Sequence, residues 1–287
     1  MHRQLNTPHH VNAPPFLLPQ PTSSICRPPR RHVALPPPAA AMDDKGDLGN
    51  RRCDERSGER VDGQIKSEAG RAYWEAVEPT VNGILGGIPA VPGFQSISRI
   101  DLQGSRTLLA RLGIGAKAGR GRVASALDGG AGIGRITEGL LLDVADEVDV
   151  VEPVTKFTDA LRGKPGVRTI FNVGLEEWTP ADGTRYDLIW TQWCLGHLTD
   201  RQVVRYLDVC KTVLRAGSGL VVVKENLSTS GVDIFDDTDS SVTRRDETFR
   251  RIFAEAGLRI VKTELQRGLP ETSETRLFPV RMYALKP

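Results

Sequence analysis

Residues 126–135 read Ala-Leu-Asp-Gly-Gly-Ala-Gly-Ile-Gly-Arg, and the fold follows from this stretch. The apolar run at 123–127 predicts a buried strand, and residues 133–142 have the pattern of an amphipathic helix. Closely spaced glycines between a strand and a helix let the backbone turn sharply and approach a ligand. The stretch therefore predicts the strand–loop–helix unit of a nucleotide-binding α/β domain.

The spacing of these glycines narrows the choice of ligand. Residues 128–135 contain neither the dinucleotide fingerprint G-x-G-x-x-G nor a phosphate loop ending in Gly-Lys-Ser/Thr. An Asp followed by G-x-G-x-G instead favours S-adenosylmethionine, whose amino-acid end is zwitterionic and which has no phosphate. A dinucleotide site and a purely structural turn remain alternatives at this point.

A second acidic residue supports the same ligand. Residues 147–151 predict a short buried parallel strand, and Glu152 stands at its carboxyl end, about 20 residues after the glycines. A carboxylate at that place can accept hydrogen bonds from both ribose hydroxyls of an adenosine ligand. The alternative is a solvated acid ahead of Pro153, in the first turn of a helix.

The body of the chain predicts a single α/β domain. From residue 67 onward, strand-like and helix-like segments alternate, which indicates a parallel sheet with helices on both faces. Two strand candidates after the last helix, at 259–264 and 278–285, suit a seven-stranded sheet that ends with an antiparallel strand. Residues 80–98 are rich in Gly and Pro and predict a loop or hairpin, and a helix is expected over 105–112.

The first 66 residues predict a disordered tail and a linker. Residues 1–42 hold ten of the nineteen prolines and no acidic residue, and residues 43–66 are charged and Gly-rich. Three interpretations stay open for the tail: a plastid transit peptide, a solvated tail without function, or an upstream translation artefact ahead of Met42. The proline content disfavours an amphipathic targeting helix, and we expect a location in the cytoplasm and nucleus.

Composition limits the classes of partner. After residue 42 the chain has 34 basic and 36 acidic side chains, so we expect no nucleic-acid partner. No apolar run approaches the roughly 20 residues that cross a bilayer, so we expect no membrane segment. Four cysteines without Cys-x-x-Cys spacing predict neither a zinc site nor a disulfide framework. We also expect a monomer.

Further blocks of sequence carry a specific resemblance. Besides the glycine loop, they are Tyr73-Trp74, Pro-Thr-Val-Asn-Gly-Ile-Leu-Gly-Gly at 79–87, Trp-Thr-Gln-Trp-Cys-Leu-Gly-His-Leu-Thr-Asp at 190–200, and Asp-Asp-Thr-Asp-Ser-Ser-Val at 236–242. In this order the chain resembles the eukaryotic α-N-terminal protein methyltransferases, over about residues 68–286. That family methylates the free α-amine of proteins that begin Xaa-Pro-Lys after removal of the initiator Met.

The resemblance implies the fold and the cofactor. The fold is the seven-stranded class I S-adenosylmethionine-dependent methyltransferase sheet, which is Rossmann-like, with an N-terminal helical or hairpin extension, over residues 67–287. Arg135 is implied to pair with the methionine carboxylate, although a helix-surface cation is the alternative without the resemblance. Glu152 takes the ribose position, where the family typically has Asp. The implied cofactor-binding residues are Gly130, Arg135, Glu152, Pro153, Val154, Leu175, Glu176 and Gln192.

Methylation of an amine needs a proton acceptor and a positioned nucleophile. An α-amine has a solution pKa of about 7.7–8.0, so much of it is protonated at neutral pH and cannot attack a methyl group. By resemblance, His197 and Asp239 are the acceptors, and Asn226 hydrogen-bonds the amine. The plainer alternatives are a packed or capping role for His197 and a solvated acidic loop around Asp239.

The implied peptide site combines aromatic walls with polar groups. Its residues are Trp74, Leu85, Gly86, Trp193, Asp236 and Ser241. The tryptophans offer flat apolar faces, and Leu85 with Gly86 would contact the ring of a second-position proline. The two polar residues would receive the third-position lysine. Core packing is the alternative for both tryptophans.

Three positions depart from the family pattern and bear on substrate range. Phe278 stands where the family usually has a tyrosine, Glu225 replaces an Asp, and the stretch 87–96 is longer than typical. Two other functions compete with N-terminal methylation. A small-molecule N- or O-methyltransferase would need apolar closure in place of the acidic residues, and a non-catalytic module would bind an N-terminus without turnover. A dehydrogenase is disfavoured because the G-x-G-x-x-G fingerprint is missing.

Overall fold

The structure is a computed structural model that describes residues 31–33, 60–273 and 275–287. Most of the predicted tail and linker, including Met42, lies outside these ranges. Of the first 66 residues, the structure describes the short strand Arg31–Val33 and the stretch from Arg60 onward. Residues 60–66, which we predicted to belong to the linker, include a turn of 3-10 helix at Val61–Gln64.

Strands and helices alternate through most of the described chain. The strands are β1 (Arg31–Val33), β2 (Val123–Gly129), β3 (Ala145–Val151), β4 (Val167–Phe171), β5 (Leu188–Gln192), β6 (Leu220–Asn226), β7 (Ile234–Asp236), β8 (Ser241–Thr243), β9 (Arg259–Leu265), β10 (Thr275–Leu277) and β11 (Val280–Lys286). The α-helices are α1 (Ser67–Ala76), α2 (Val81–Ile84), α3 (Ile97–Arg111), α4 (Leu142–Val144), α5 (Thr155–Thr158), α6 (Asp200–Val213) and α7 (Asp246–Glu255). A π-helical turn at Thr137–Leu141 leads into α4.

Seven strands form the central sheet in the order β4-β3-β2-β5-β6-β11-β9. The five strands from β2 to β6 run parallel, whereas β11 lies antiparallel between β6 and β9. This is the predicted class I methyltransferase sheet, with its antiparallel strand from the C-terminal end of the chain. The parallel strands place their carboxyl ends at one edge, where ligands bind in such sheets.

Side chains of the central strands alternate between two apolar layers. In β6, Val221 and Val223 pack on the side of α6 and α7, and Val222 packs on the side of α3 and the π-helical turn. Both faces are covered, so these strands are apolar almost throughout, as buried parallel strands are. Two small sheets lie beside the main one, β1 with β10 and β7 with β8.

The N-terminal part of the domain differs from the expectation in two ways. The predicted loop or hairpin over 80–98 forms no hairpin: turns connect the short helix α2, a 3-10 turn at Ile88–Ala90 and the start of α3. The helix expected over 105–112 begins at Ile97. Short turns capped by glycines with positive φ, such as Gly86 and Gly87, explain the Gly-rich composition without a hairpin. In the part of the chain that the structure describes, no helix is long and apolar enough to cross a bilayer.

The helix α6 follows the site-bearing loop and begins with a capping box. The Thr199 hydroxyl accepts a hydrogen bond from the Gln202 N–H at 3.3 Å, and the Gln202 side chain accepts one from the Thr199 N–H at 2.8 Å. Each bond satisfies a backbone donor that the helix itself leaves free.

Thr199→Ala should therefore lower the free energy of unfolding by about 1 kcal/mol. Thr212→Ala is the matched control, because Thr212 lies on the same helix and its hydroxyl only donates to the Val209 carbonyl at the surface. That control should change stability by less than about 0.5 kcal/mol in urea unfolding. Equal losses in the two variants would show that the cap does not set the start of α6.

Candidate functional site

A cavity of about 160 Å³ opens at the carboxyl ends of β2, β3 and β5. All eight predicted cofactor residues line it: Gly130, Arg135, Glu152, Pro153, Val154, Leu175, Glu176 and Gln192. The eight residues that the sequence analysis assigned to the cofactor thus lie together around one cavity. Their individual roles remain predictions.

The glycine loop forms one wall of this cavity. Gly130 has φ +73°, in the left-handed region, and a Cβ added there would lie 2.5 Å from Sγ of Cys194. A side chain at this position would therefore collide with the loop after β5. The N–H groups of Gly130 and Ala131 both donate to the Val151 carbonyl, at 2.8 and 3.1 Å, which ties the turn to the end of β3.

Glu152 connects the glycine loop to the strand end beside it. One carboxylate oxygen accepts from the Gly132 N–H at 2.8 Å, and the other accepts from the Val154 N–H at 2.9 Å. Burial raises the pKa of this carboxyl to about 7. Each oxygen keeps a lone pair for a further donor, so the carboxylate can receive two neighbouring hydroxyl groups.

Asp128 precedes the glycine loop, near the end of β2, and was not among the predicted site residues. It does not line the cavity, and its buried carboxylate accepts a hydrogen bond from the Thr137 hydroxyl at 2.6 Å. Burial raises its pKa to about 6. This acid at the end of β2 therefore holds the helical turn after the glycine loop and does not face the ligand.

Arg135 lines the first cavity, and most of its side chain is buried. Its guanidinium forms an ion pair with Asp101 at 2.8 Å and lies 5.2 Å from the ring centre of Trp193. The amide of Gln192 donates to the same carboxylate, at 3.0 and 3.1 Å to its two oxygens. Asp101 was not among the predicted site residues. The only sequence signal for it is an acid among the apolar residues of α3, a helix whose start the prediction placed too late.

A second cavity, of about 40 Å³, adjoins the first. Asn226, Asp236, Asp239 and Ser241 line it, whereas Trp74, Trp193 and His197 line both cavities. Two of the three predicted catalytic residues thus lie in the second cavity, together with Asp236. The third, His197, belongs to the wall that the two cavities share, which it forms with Trp74 and Trp193.

The remaining predicted contacts fall outside the second cavity. Leu85 lines the first cavity and is almost completely buried. Gly86 lines neither of the two cavities, so a contact of Gly86 with substrate remains a prediction without geometric support. Phe278, which stands where the family usually has a tyrosine, also lines neither cavity.

His197 is bonded to the N-terminal helix. The Trp74 indole N–H donates to Nε2 of His197 at 3.0 Å, and the two rings meet edge to face with centres 6.0 Å apart. Because an indole only donates, Nε2 must carry the lone pair, and the ring proton of neutral His197 is assigned to Nδ1. Burial lowers the pKa of His197 to about 4, so the ring is neutral at pH 7.

Asp239 is the strongest candidate for a proton acceptor. The residue is buried, with 4% of its surface exposed, and its Oδ1 has no hydrogen-bond partner among the residues that the structure describes. Burial, reinforced by the negative charge of Asp236, raises the pKa of Asp239 to about 6, although Ser241 opposes the rise. Asp239 is therefore ionised at neutral pH and holds a free acceptor oxygen inside the cavity.

Glu225 fixes the loop that carries Trp193 and His197. Its carboxylate accepts from the N–H groups of Cys194 and Leu195, both at 3.0 Å. Trp193 has φ +55°, a conformation that is strained for a bulky residue and needs such support. Burial raises the pKa of Glu225 to about 7. The residue that departs from the family pattern thus shapes the shared wall.

The segment before α1 also contributes to the site, which the sequence did not indicate. The Lys66 N–H donates to the Ser240 hydroxyl at 2.8 Å, and Arg60 pairs with Asp200. Gly70 lies so close to the loop that an added Cβ would be 3.1 Å from the Asp239 carbonyl. A glycine in the middle of a helix was the available signal for this close approach.

Comparisons with known proteins agree with this geometry. The family model for AdoMet-dependent proline di-methyltransferases matches residues 62–286. An α N-terminal protein methyltransferase 1 of Schizosaccharomyces pombe is 45% identical over 217 residues, which cover 75% of this chain and 93% of the relative. The N-terminal Xaa-Pro-Lys N-methyltransferase 1 of Homo sapiens is 40% identical over 228 residues, covering 78% and 96%.

One solved structure is similar over most of its length. A SAM-dependent methyltransferase of Leishmania major superposes with a TM-score of 0.65 at 34% identity, covering 77% of this chain and 82% of that one. The relative from Schizosaccharomyces pombe and this structure thus each match about three quarters of the chain.

The donors and acceptors around the first cavity lead to a binding prediction. Glu152→Ala should weaken the binding of S-adenosylhomocysteine by roughly 1.5–3 kcal/mol, because it removes a charged hydrogen-bond acceptor from the ribose position. Isothermal calorimetry measures the loss. Glu177→Ala is the control, since Glu177 is an exposed acid of the neighbouring loop outside the cavity lining. A Glu152→Ala protein that binds as tightly as the wild type would remove Glu152 from the cofactor site.

Proposed function

The chain belongs to the AdoMet-dependent proline di-methyltransferase family, and we propose that it methylates the free α-amino group of proteins that begin Xaa-Pro-Lys. It is an S-adenosylmethionine-dependent methyltransferase with the class I fold. The observation that carries the proposal is the pair of adjoining cavities. One is built for the cofactor, and the other is lined by acids and an amide around an unpartnered carboxylate oxygen.

The residues of the first cavity fit S-adenosylmethionine. The left-handed Gly130 keeps the loop wall free of side chains, Glu152 offers two oxygens to the ribose, and Arg135 offers a cation to the methionine carboxylate. When bound, the cofactor supplies an electrophilic methyl group on its sulfonium. The acceptor must approach from the second cavity, past Trp74 and Trp193, because these side chains line both spaces.

The second cavity suits a peptide N-terminus. Asp239 accepts a proton from the incoming ammonium group, so that the free amine can attack the methyl carbon. Asn226, at the end of β6, lines the same cavity, and we assign to it the hydrogen bond to the amine. The proton taken from the ammonium group would remain on Asp239 until water removes it.

Side chains that line the second cavity bind the second and third residues of the substrate in this proposal. The faces of Trp74 and Trp193 receive a proline ring, whose fixed shape loses little conformational freedom on binding. Asp236 lines the second cavity, and its carboxylate accepts a hydrogen bond from the Thr238 N–H at 2.9 Å. It therefore retains acceptor capacity for a lysine ammonium.

His197 has a positioning role in this proposal. Its Nε2 lone pair already accepts from Trp74, so the nitrogen that would take a proton is occupied. The ring instead fixes the orientation of the Trp74 face beside the amine. Asp239 is left as the proton acceptor, with His197 holding the wall against which the substrate packs.

A small-molecule methyltransferase is the rival function. Its acceptor pocket would need apolar closure, whereas Asp236, Asp239 and Asn226 converge here. The rival would leave the two carboxylates without a matching substrate charge, which is costly for the buried Asp239.

A peptide assay tests the proposal. The protein and S-adenosylmethionine should methylate a peptide that begins Ser-Pro-Lys, and mass spectrometry should place the methyl groups on the α-nitrogen. The same peptide with an acetylated N-terminus is the control and should gain none, because an amide nitrogen has no basic lone pair. Unchanged incorporation into the acetylated peptide would show that the α-amine is not the acceptor. No incorporation into the free peptide, with activity on a small amine, would favour the rival.

A further inference from the structure

A buried ionic cluster lies below the floor of the cofactor cavity. Asp101 on α3 and Lys224 on β6 are both completely buried, and the Arg135 side chain is 7% exposed. One oxygen of the Asp101 carboxylate contacts Nζ of Lys224 at 2.5 Å, and the other contacts the Arg135 guanidinium at 2.8 Å. Of these three residues only Arg135 lines the cavity.

The contacts of Lys224 identify it as an ammonium ion. Besides the carboxylate, Nζ lies 3.0 Å from the Asp101 carbonyl, 3.0 Å from the Ser105 hydroxyl and 2.8 Å from Oε1 of Gln266. The Ser105 hydroxyl donates its proton to the Asp101 carbonyl, and the Gln266 amide nitrogen donates to the Ile100 carbonyl. Every neighbour therefore presents an acceptor, and a neutral amine would have no donor for its lone pair.

Asp101 is the matching anion. Burial opposes its ionisation, but Lys224 and Arg135 outweigh this effect and lower the pKa of the carboxyl below its ordinary value. One carboxylate is thus shared by two cations, so neither cation is paired with the whole charge of Asp101. Of the three residues Arg135 lines the cavity, so the part of its charge that Asp101 does not balance can act there.

We propose that Lys224 is a positioning residue for the cofactor: it occupies one oxygen of Asp101, so that Arg135 keeps its charge available for the carboxylate of the methionine end. Without Lys224, the full charge of Asp101 would fall on Arg135 and neutralise it. Lys224 would then govern cofactor affinity without touching the cofactor. This inference rests on the assignment of the first cavity to S-adenosylmethionine.

Two ligands separate this effect from a general loss of structure. S-adenosylhomocysteine carries the carboxylate, whereas 5′-methylthioadenosine has the same adenosine part and no amino-acid end. Lys224→Met should weaken S-adenosylhomocysteine binding roughly tenfold, as expected for the loss of one nearby charge in a partly buried site. Binding of 5′-methylthioadenosine should stay unchanged. Lys262→Met is the control for both ligands, because this lysine lies on strand β9 of the same sheet and pairs with Glu264.

A second variant keeps the test decisive if Lys224→Met does not fold. Asp101→Asn combined with Lys224→Met removes the two charges together, a change that buried ion pairs often tolerate. Because Arg135 keeps its charge, this double variant should bind S-adenosylhomocysteine within about threefold of the wild type.

Three results in calorimetry would overturn the inference. They are equal weakening of both ligands by Lys224→Met, no weakening of either, and a tenfold loss of S-adenosylhomocysteine alone in the double variant. A wild-type protein that binds neither ligand would instead refute the cofactor assignment itself.

Discussion

The hydrogen bond from the Trp74 indole to Nε2 of His197 is the contact on which the arrangement of the site depends. It joins α1, from the start of the domain, to the loop after β5. Both rings belong to the wall between the two cavities. The bond also determines what His197 can do, since the indole N–H can only donate. The histidine is therefore held neutral and oriented, and we propose Asp239 as the acceptor of the proton of the substrate amine.

Buried polar contacts hold the His197 side of this bond in place. Arg244 is completely buried, and its guanidinium donates to the Leu195 carbonyl at 2.7 Å and to Asp200 at 2.8 Å. Glu225 accepts from the backbone at the start of the same loop. Leaving a buried donor unpaired costs about 1–3 kcal/mol, so these contacts oppose any shift of the loop. The shared wall is thus rigid on the side where methyl donor and amine would meet.

Sequence patterns predicted the parts of the molecule that depend on local order. The strand and the glycine loop at 123–134 lie where they were expected, and the eight residues assigned to the cofactor line one cavity. The helix expected over 133–142 includes a π-helical turn at Thr137–Leu141. Parallel strands bring their carboxyl ends to one edge, so residues at strand ends could be assembled without knowledge of distant contacts. The family resemblance added the acids and tryptophans of the second cavity.

Contacts between distant segments were beyond such reasoning. The pairing of Trp74 with His197 and the sharing of Asp101 between Lys224 and Arg135 join residues far apart in the chain. The Gly-rich stretch at 80–98 was misassigned because glycines that end short helical turns resemble those of a hairpin in composition. The hydrogen bond between Asp128 and Thr137 could not be inferred from the motif either.

The central claim is that Asp239 accepts the proton of the α-amine, and the pH dependence of kcat in Asp239→Asn tests it most directly. The account predicts that kcat falls by about 10²–10⁴-fold at neutral pH while cofactor affinity is kept. Activity should recover partly as the pH rises above about 8, where the amine loses its proton without help. Asp237→Asn, at the exposed neighbouring acid, should behave as the wild type. A loss below roughly tenfold, or a large loss without recovery at high pH, would show that Asp239 does not take the proton.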